Sequence, residues 1–193
     1  MLKDIQTFFT KEECDDIASI CEKIGFSAQT TVSVKNKWDN RRIHNDEFKE
    51  RILSRYKEVF ANHKNLPFDI NELTLDTIYI TLSRYFDGRF LEMHRDTISD
   101  LTTVIVLTDD FADGRFLLSD TNIKIEYDNI DESLLTKINK GDGISFDGHQ
   151  VWHGVMPVTK GIRKSLNIWI KMEKFKLQIG DKDIEIKNKK SFL

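Results

Sequence analysis

Apolar residues recur at helical spacing twice in the first third of the chain, and at strand spacing through most of the rest. Thr10 with Glu13 three residues on reads as a capping box. Cys14, Ile17, Cys21 and Ile24 then form an apolar stripe that Gly25 stops, so the pattern predicts a first helix from Thr10. A short strand is expected near Thr30 to Lys35. A second helix is expected from about Asp46 to His63, burying Phe48, Ile52, Tyr56, Val59 and Phe60. From Leu73 the period falls to two: Leu73, Leu75, Thr77, Tyr79 and Thr81 alternate with Thr74, Asp76, Ile78, Ile80 and Leu82. Both sets are partly apolar, which predicts a strand covered on both faces. Further strands are expected at Phe90–His94, Thr102–Thr108, Arg115–Ser119, Ile123–Tyr127, Gly143–Asp147, Val151–Pro157 and Arg163–Glu173. A last hairpin, Phe175–Ile179 with Ile184–Lys187, turns at Gly180-Asp181. Two helices followed by many short strands predict a β-sandwich or barrel buttressed by helices.

Composition narrows the class without naming a function. The 193 residues suit one domain with a real core, and 39% hydrophobic against 32% charged residues describes a globular chain. A net charge of -3 gives no bulk attraction for nucleic acid, and no nucleic-acid partner is expected. The opening MLKDIQTFFTKEE has no long apolar run, so neither a signal peptide nor a membrane span is expected, and the cytoplasm is the expected location. Cys14 and Cys21 sit one above the other on a helix, about 10 Å apart, too far for a disulfide. They read as small core residues.

The chemistry lies in the strands. His94-Arg95-Asp96 places an imidazole and a carboxylate two residues apart, on one face of an extended chain. A later histidine on a neighbouring strand would complete a 2-His-1-carboxylate facial triad, the ligand set of non-haem Fe(II) oxygenases. His153, within Val151-Trp152-His153-Gly154-Val155, fits that role. His149, in the turn-like Asp147-Gly148-His149-Gln150, is the alternative. A second H-x-D triplet, His44-Asn45-Asp46, sits at a helix start, where Asn45 or Asp46 suits an N-cap. His63, at the end of the second helix, reads as a partner for the helix dipole. Arg163 and Ser165 share one strand face, where a guanidinium could hold a carboxylate in a fork and the hydroxyl could add a donor.

Several of these segments together resemble the prolyl 4-hydroxylase-type branch of the Fe(II)/2-oxoglutarate oxygenases, over about Ile5 to Lys171. The run from His153 to Leu166 (HGVMPVTKGIRKSL) is similar to that family's H-x-V-x-P-V-x-x-G-x-R-x-S-L. Arg84-Tyr85-Phe86-Asp87-Gly88 before His94-Arg95-Asp96 resembles R-Y-x-x-G leading to H-x-D. Gly141-Asp142-Gly143 before Ile144-Ser145-Phe146 resembles the family's strand entry, and Phe8 to Cys14 its opening helix. The resemblance implies an α+β, mainly β fold: a double-stranded β-helix (jelly-roll) with N-terminal helices packed on one sheet. Residues 1–193 are then one dioxygenase domain, with helical support over about 1–70, a jelly-roll core over about 71–175 and a hairpin over about 175–187. It implies Fe(II) held by His94, Asp96 and His153, and 2-oxoglutarate as co-substrate, its far carboxylate on Arg163 beside Ser165. Tyr85 matches the family tyrosine near the co-substrate.

The implied reaction consumes O2, releases succinate and CO2, and hydroxylates a C–H bond, with ascorbate as a possible reductant and no catalytic residue beyond the metal ligands. The expected substrate is a peptidyl residue, proline first. The alternatives are a free amino acid or small metabolite, a non-catalytic jelly-roll binding module, and a cupin-type metal protein with other chemistry. Two departures stand out. Arg163 replaces the lysine of many prolyl hydroxylases, and Asp113-Gly114-Arg115 replaces a common Gly-Gly-Glu, which bears on substrate choice. Trp38, Asn40, Arg41 and Arg42 read as a solvated loop, Trp152 and Trp169 as core, and Lys187-Asn188-Lys189-Lys190 as charged surface.

Overall fold

Thr10 and Glu13 cap the first helix reciprocally. The Thr10 hydroxyl accepts from the Glu13 N–H at 3.2 Å, and the Glu13 carboxylate accepts from the Thr10 N–H at 2.9 Å. That fixes the start of α1 (Lys11–Lys23), which buries Cys14, Ile17, Ala18 and Cys21. Both cysteines are free, and burial pushes their thiols up to about 11 and about 12. Helix α2 (Asp46–Phe60) begins at Asn45, whose side chain accepts from the Phe48 N–H at 2.7 Å. It ends at Phe60, three residues before the expected His63. The His63 imidazole lies 3.1 Å from the Asp4 carboxylate and edge-on to Phe60, so its partner is a side chain rather than the helix dipole.

The structure, a computed structural model, describes residues 3–23, 39–97, 99–119, 124–125, 130–172, 176–179 and 182–185. Gly25, the strand expected near Thr30 to Lys35, Trp38 and the run Lys187 to Lys190 lie outside them. So does most of the strand expected at Ile123–Tyr127, of which Lys124 and Ile125 alone are described, and neither is in a strand.

The strands form two main antiparallel sheets. The larger has the order β1-β9-β5-β12-β3-β2, built from β1 (Lys3–Thr7), β9 (Asp142–Phe146), β5 (Leu101–Val106), β12 (Arg163–Ile170), β3 (Ile78–Tyr85) and β2 (Asp39–Arg42). The smaller has the order β4-β10-β7-β8, from β4 (Leu91–His94), β10 (Trp152–Val155), β7 (Phe116–Ser119) and β8 (Leu135–Thr136). A two-stranded ribbon pairs β6 (Ala112–Asp113) with β11 (Val158–Lys160). The expected C-terminal hairpin is present as β13 (Lys176–Ile179) with β14 (Lys182–Glu185). This is the expected α+β, mainly β jelly-roll with helices on one sheet.

Alternation along the central strands divides the core. Ile78, Ile80 and Leu82 of β3 and Leu166, Ile168 and Ile170 of β12 face the helices, where they meet Ile17, Phe48, Ile52, Tyr56 and Phe60. Tyr85, Val104, Ile144 and Phe146 face inward, toward Phe116, Leu118 and Val155 of the smaller sheet. The inward face of β12 also carries Arg163, Ser165 and Asn167, all buried.

Three elements differ from expectation. β3 starts at Ile78, because Thr74 to Thr77 close a turn: the Thr77 N–H bonds the Thr74 carbonyl at 3.1 Å, and the Thr74 hydroxyl accepts from the Asp76 N–H at 3.2 Å. β1, whose one strongly apolar residue, Ile5, is exposed, is an edge strand held through backbone pairing to β9. The segment read as a solvated loop around Asn40 to Arg42 is β2, an edge strand on β3 whose Asp39 accepts from Arg84 at 2.8 Å. Charged edges suit strands that must not recruit another chain. Among the described residues no helix is long and apolar enough to cross a membrane.

Candidate metal and co-substrate site

His94 closes β4, and His153 lies directly opposite it on β10. The register that zips the two strands therefore brings the imidazoles together, with ring centroids 4.2 Å apart and the planes tilted by 52°. Asp96 follows in the turn after β4, held there by its N–H on the Gly148 carbonyl at 2.9 Å. Its Oδ1 is 3.8 Å from His94 Nε2 and 3.7 Å from His153 Nε2. The candidate ligand atoms of the three residues all lie within 4.8 Å of one another. The structure thus joins the three residues singled out in the sequence. It leaves His149 outside them, exposed in a turn where its N–H bonds Asp147. His44 is likewise exposed, one residue before the cap of α2.

Each group is oriented from behind. His94 Nδ1 donates to the Glu92 carbonyl at 2.9 Å, and His153 Nδ1 donates to the Val151 carbonyl at 3.1 Å. Both protons are thereby fixed on Nδ1, and both Nε2 lone pairs point toward Asp96. Asp96 Oδ2 accepts from Thr102 at 2.5 Å and from Ser99 at 3.4 Å, which leaves Oδ1 turned to the imidazoles. Gly148 packs so closely that an added Cβ would collide with Asp96 Oδ2, Thr102 Oγ1 and Ser99 Oγ. Burial, and next His94, lower the His153 pKa to about 4, with Asp96 acting against them. Two imidazole Nε2 atoms converging with one carboxylate oxygen are a donor set that suits a divalent metal.

The neighbouring space fits an acid. A small cavity of ≈ 50 Å³ runs from His94 and His153 past Thr102 and Trp169 to Tyr85, Ser165 and Asn167. Arg163 stands opposite Tyr85 across β12 and β3, its guanidinium carbon 5.5 Å from the ring centroid. It is 1% exposed, and no carboxylate among the described residues pairs with it. A buried cation without a counter-charge is costly, so the site is built to receive one. Arg163 donates to Ser165 Oγ at 3.2 Å. Ser165 donates to Asn167 Oδ1 at 3.3 Å, and Asn167 donates to Ser83 at 2.6 Å and Thr81 at 3.3 Å. Burial raises the Tyr85 hydroxyl to about 12, against the pull of Arg163.

Two residues of the recognised motif go elsewhere. Arg84 points away from Tyr85 to Glu22 at 3.1 Å and Asp39 at 2.8 Å, tying α1 and β2 to β3. Gly88 turns the chain with φ +74 and donates to the Val158 carbonyl at 2.7 Å. Trp169, read as core, lines the cavity beside the histidines. Sequence reading missed Ser99, Thr102, Gly148 and Asn167. Only the inward alternation on β5 and β12 could have pointed to Thr102 and Asn167, and nothing local marks Ser99 or Gly148.

With this geometry in place, comparison with known proteins can be set beside it. Residues 80–171 match the model of the 2OG-Fe(II) oxygenase superfamily. That stretch carries both histidines, Asp96 and Arg163. No curated protein sequence matches the chain. Among solved structures, its fold is that of prolyl hydroxylases. It is similar to the viral collagen prolyl hydroxylase of Paramecium bursaria Chlorella virus-1, in a 2OG complex, with 16% identity, TM-score 0.60 and coverage of 88% of this chain and 96% of that one. The prolyl-4-hydroxylase of Pseudomonas putida gives 15% identity, TM-score 0.61 and coverages of 88% and 92%. A Trichoplax adhaerens prolyl hydroxylase, in complex with a hypoxia inducible factor oxygen degradation domain peptide fragment, gives 15%, 0.62, 89% and 84%. The superfamily implies Fe(II), 2-oxoglutarate and O2 as the reacting set.

Proposed function

We propose that the protein is a 2-oxoglutarate-dependent dioxygenase that hydroxylates a C–H bond of a peptidyl residue, with proline the first candidate. The observation that carries the reading is the pairing of two sites in one barrel: three converging metal-type ligand atoms, and a buried guanidinium, with no carboxylate partner among the described residues, beside Tyr85 and Ser165 of the cavity wall. His94 and His153 through Nε2, and Asp96 through Oδ1, would hold the iron. Arg163 would hold the distal carboxylate of 2-oxoglutarate, with Ser165 and Tyr85 beside it. Bound there, Fe(II) with 2-oxoglutarate and O2 supplies the oxidising chemistry, giving succinate, CO2 and a hydroxylated product.

The chain's own residues orient and exclude. The Glu92 and Val151 carbonyls hold the Nδ1 protons, so both histidines bind in one tautomer. Thr102 holds Asp96 to single-oxygen binding. Phe116, Phe146, Val104 and Val155 keep water from the slot. The peptidyl substrate is supported by the fold likeness to prolyl hydroxylases, one of them solved with a peptide. A free amino acid or small metabolite is the second reading, favoured by Asp113-Gly114-Arg115 standing where Gly-Gly-Glu is common.

Succinate release from 2-oxoglutarate, with Fe(II) and ascorbate, tests the chemistry. Wild type should turn over slowly without substrate, and Asp96→Ala should fall to background. Equal turnover by both proteins defeats the assignment. A peptide array run beside a panel of free amino acids then separates the two substrate classes.

A further inference from the structure

A second, larger cavity of ≈ 670 Å³ lies at the other end of the barrel. Strand register defines the two ends. Thr102, which bonds Asp96, sits opposite Trp169 near the end of β12, whereas the backbone of Arg163 begins that strand. Five basic residues line this base cavity, Lys11, Arg115, Lys137, Lys140 and Arg163, against the acids Asp109 and Asp113. Three of the cations are already matched. Lys11 is 3.7 Å from Asp109, Lys140 is 2.7 Å from Asp15, and Arg115 forks onto Glu132 at 2.7 and 2.8 Å. Asp113 accepts from Thr159. Among the described residues, Lys137 and Arg163 have no acidic partner.

Arg163 makes this more than a charged surface. It is 1% exposed, yet it forms part of the cavity wall. A guanidinium has five N–H donors. Ser165 takes one, and a carboxylate held in a fork from the metal side would take two. Donors therefore remain for a group arriving from behind. Phe111, Phe116 and Ile138 supply apolar wall, and Gly114 keeps the approach open. Gly114 has φ +58, and a Cβ there would lie 2.7 Å from Val158 Cγ2 and 3.2 Å from Arg163 Cδ.

We propose that the base cavity is a second binding site, on the far side of Arg163 from the co-substrate slot, for a small organic acid whose carboxylate meets Lys137 and Arg163 while its apolar body rests on Phe111, Phe116 and Ile138. The site does not depend on the metal, and its ligand can bind while the co-substrate slot is filled.

Benzoate serves as the probe, titrated into the full chain and followed by ligand-observed NMR and calorimetry. Saturable binding to wild type is expected. Lys137→Glu, at an exposed position, should weaken it at least tenfold, and Lys137→Arg should restore it. Asp96→Ala should bind benzoate as wild type does, and wild type saturated with Mn(II) and N-oxalylglycine should still bind it saturably. No saturable binding, indifference to Lys137→Glu, or loss in either of those last two cases would overturn the proposal. Mn(II)-dependent binding of 2-oxoglutarate is read in the same calorimeter, so a failure of the metal reading shows separately.

Discussion

Thr102 on β5 donates a 2.5 Å hydrogen bond to Oδ2 of Asp96, a residue in the turn after β4. It thereby joins the larger sheet to the carboxylate that completes the histidine pair. Without this bond the carboxylate can rotate, and Ser99 at 3.4 Å is too long to hold it. Thr102→Val keeps the shape of the side chain and removes the donor. Fe(II) affinity should fall about 10- to 100-fold, the range typical for loss of a partner that orients a metal ligand. A metal titration of wild type and variant, with circular dichroism to confirm the fold, checks it.

Arg163 is buried at the expense of stability. Arg163→Met removes a buried charge that lacks a carboxylate and fills much of the same volume. The variant without co-substrate should be as stable as wild type, or more stable by about 1–3 kcal/mol, since apolar replacement of buried charges often has that effect. The same change should abolish saturable 2-oxoglutarate binding. Urea unfolding gives the first quantity and calorimetry the second. A large loss of stability would mean that the guanidinium is structurally paired after all.

Acid should weaken the metal-free protein through His153. Burial and then His94 hold its pKa to about 4, while in the unfolded chain it titrates near the ordinary imidazole value of 6.5. Between those values the unfolded state binds the extra proton. The contribution is therefore complete above about pH 6.5 and is lost as pH falls toward 4. Unfolding free energies of the metal-free protein at pH 7, 6 and 5 should decline, and His153→Asn should flatten the slope in that window. A wild-type slope matched by the variant would assign the acid sensitivity elsewhere.

Tyr56 provides a control remote from the chemistry. Its hydroxyl is buried between α2 and the larger sheet, 3.0 Å from Thr103 Oγ1, which in turn bonds Ser145 at 2.7 Å. Tyr56→Phe should cost about 0.5–1.5 kcal/mol, the usual net worth of one such bond. Metal binding and succinate release should be unaltered when measured below the shifted melting temperature.

How far this was legible in the sequence varies with the range of the interaction. The Thr10–Glu13 box, the Asn45 cap and the alternation of β3, β5 and β12 are local, so they could be read directly. β1 and β2 could not. Lys-Asp-Ile-Gln-Thr and Asp-Asn-Arg-Arg carry almost no apolar signal, and they are strands because their backbones complete the edges of a sheet assembled by distant segments. The onset of β3 was misplaced because hydroxyl bonds within Thr74 to Thr77 override the apolar alternation.

By itself, the sequence determined the residue types that can bind a metal and an acid, their spacing on single strands, and the two helices that support them. Tertiary structure decided that His153 rather than His149 faces His94, since that choice depends on the pairing of β10 with β4. It also decided that Thr102, Ser99 and Gly148 surround Asp96, and that Arg163 is buried without a counter-charge. The physical reason is that spacing along a strand fixes which side chains share a face. Which strands become neighbours, and so which groups lose water together, is settled only when the two sheets close over a common core.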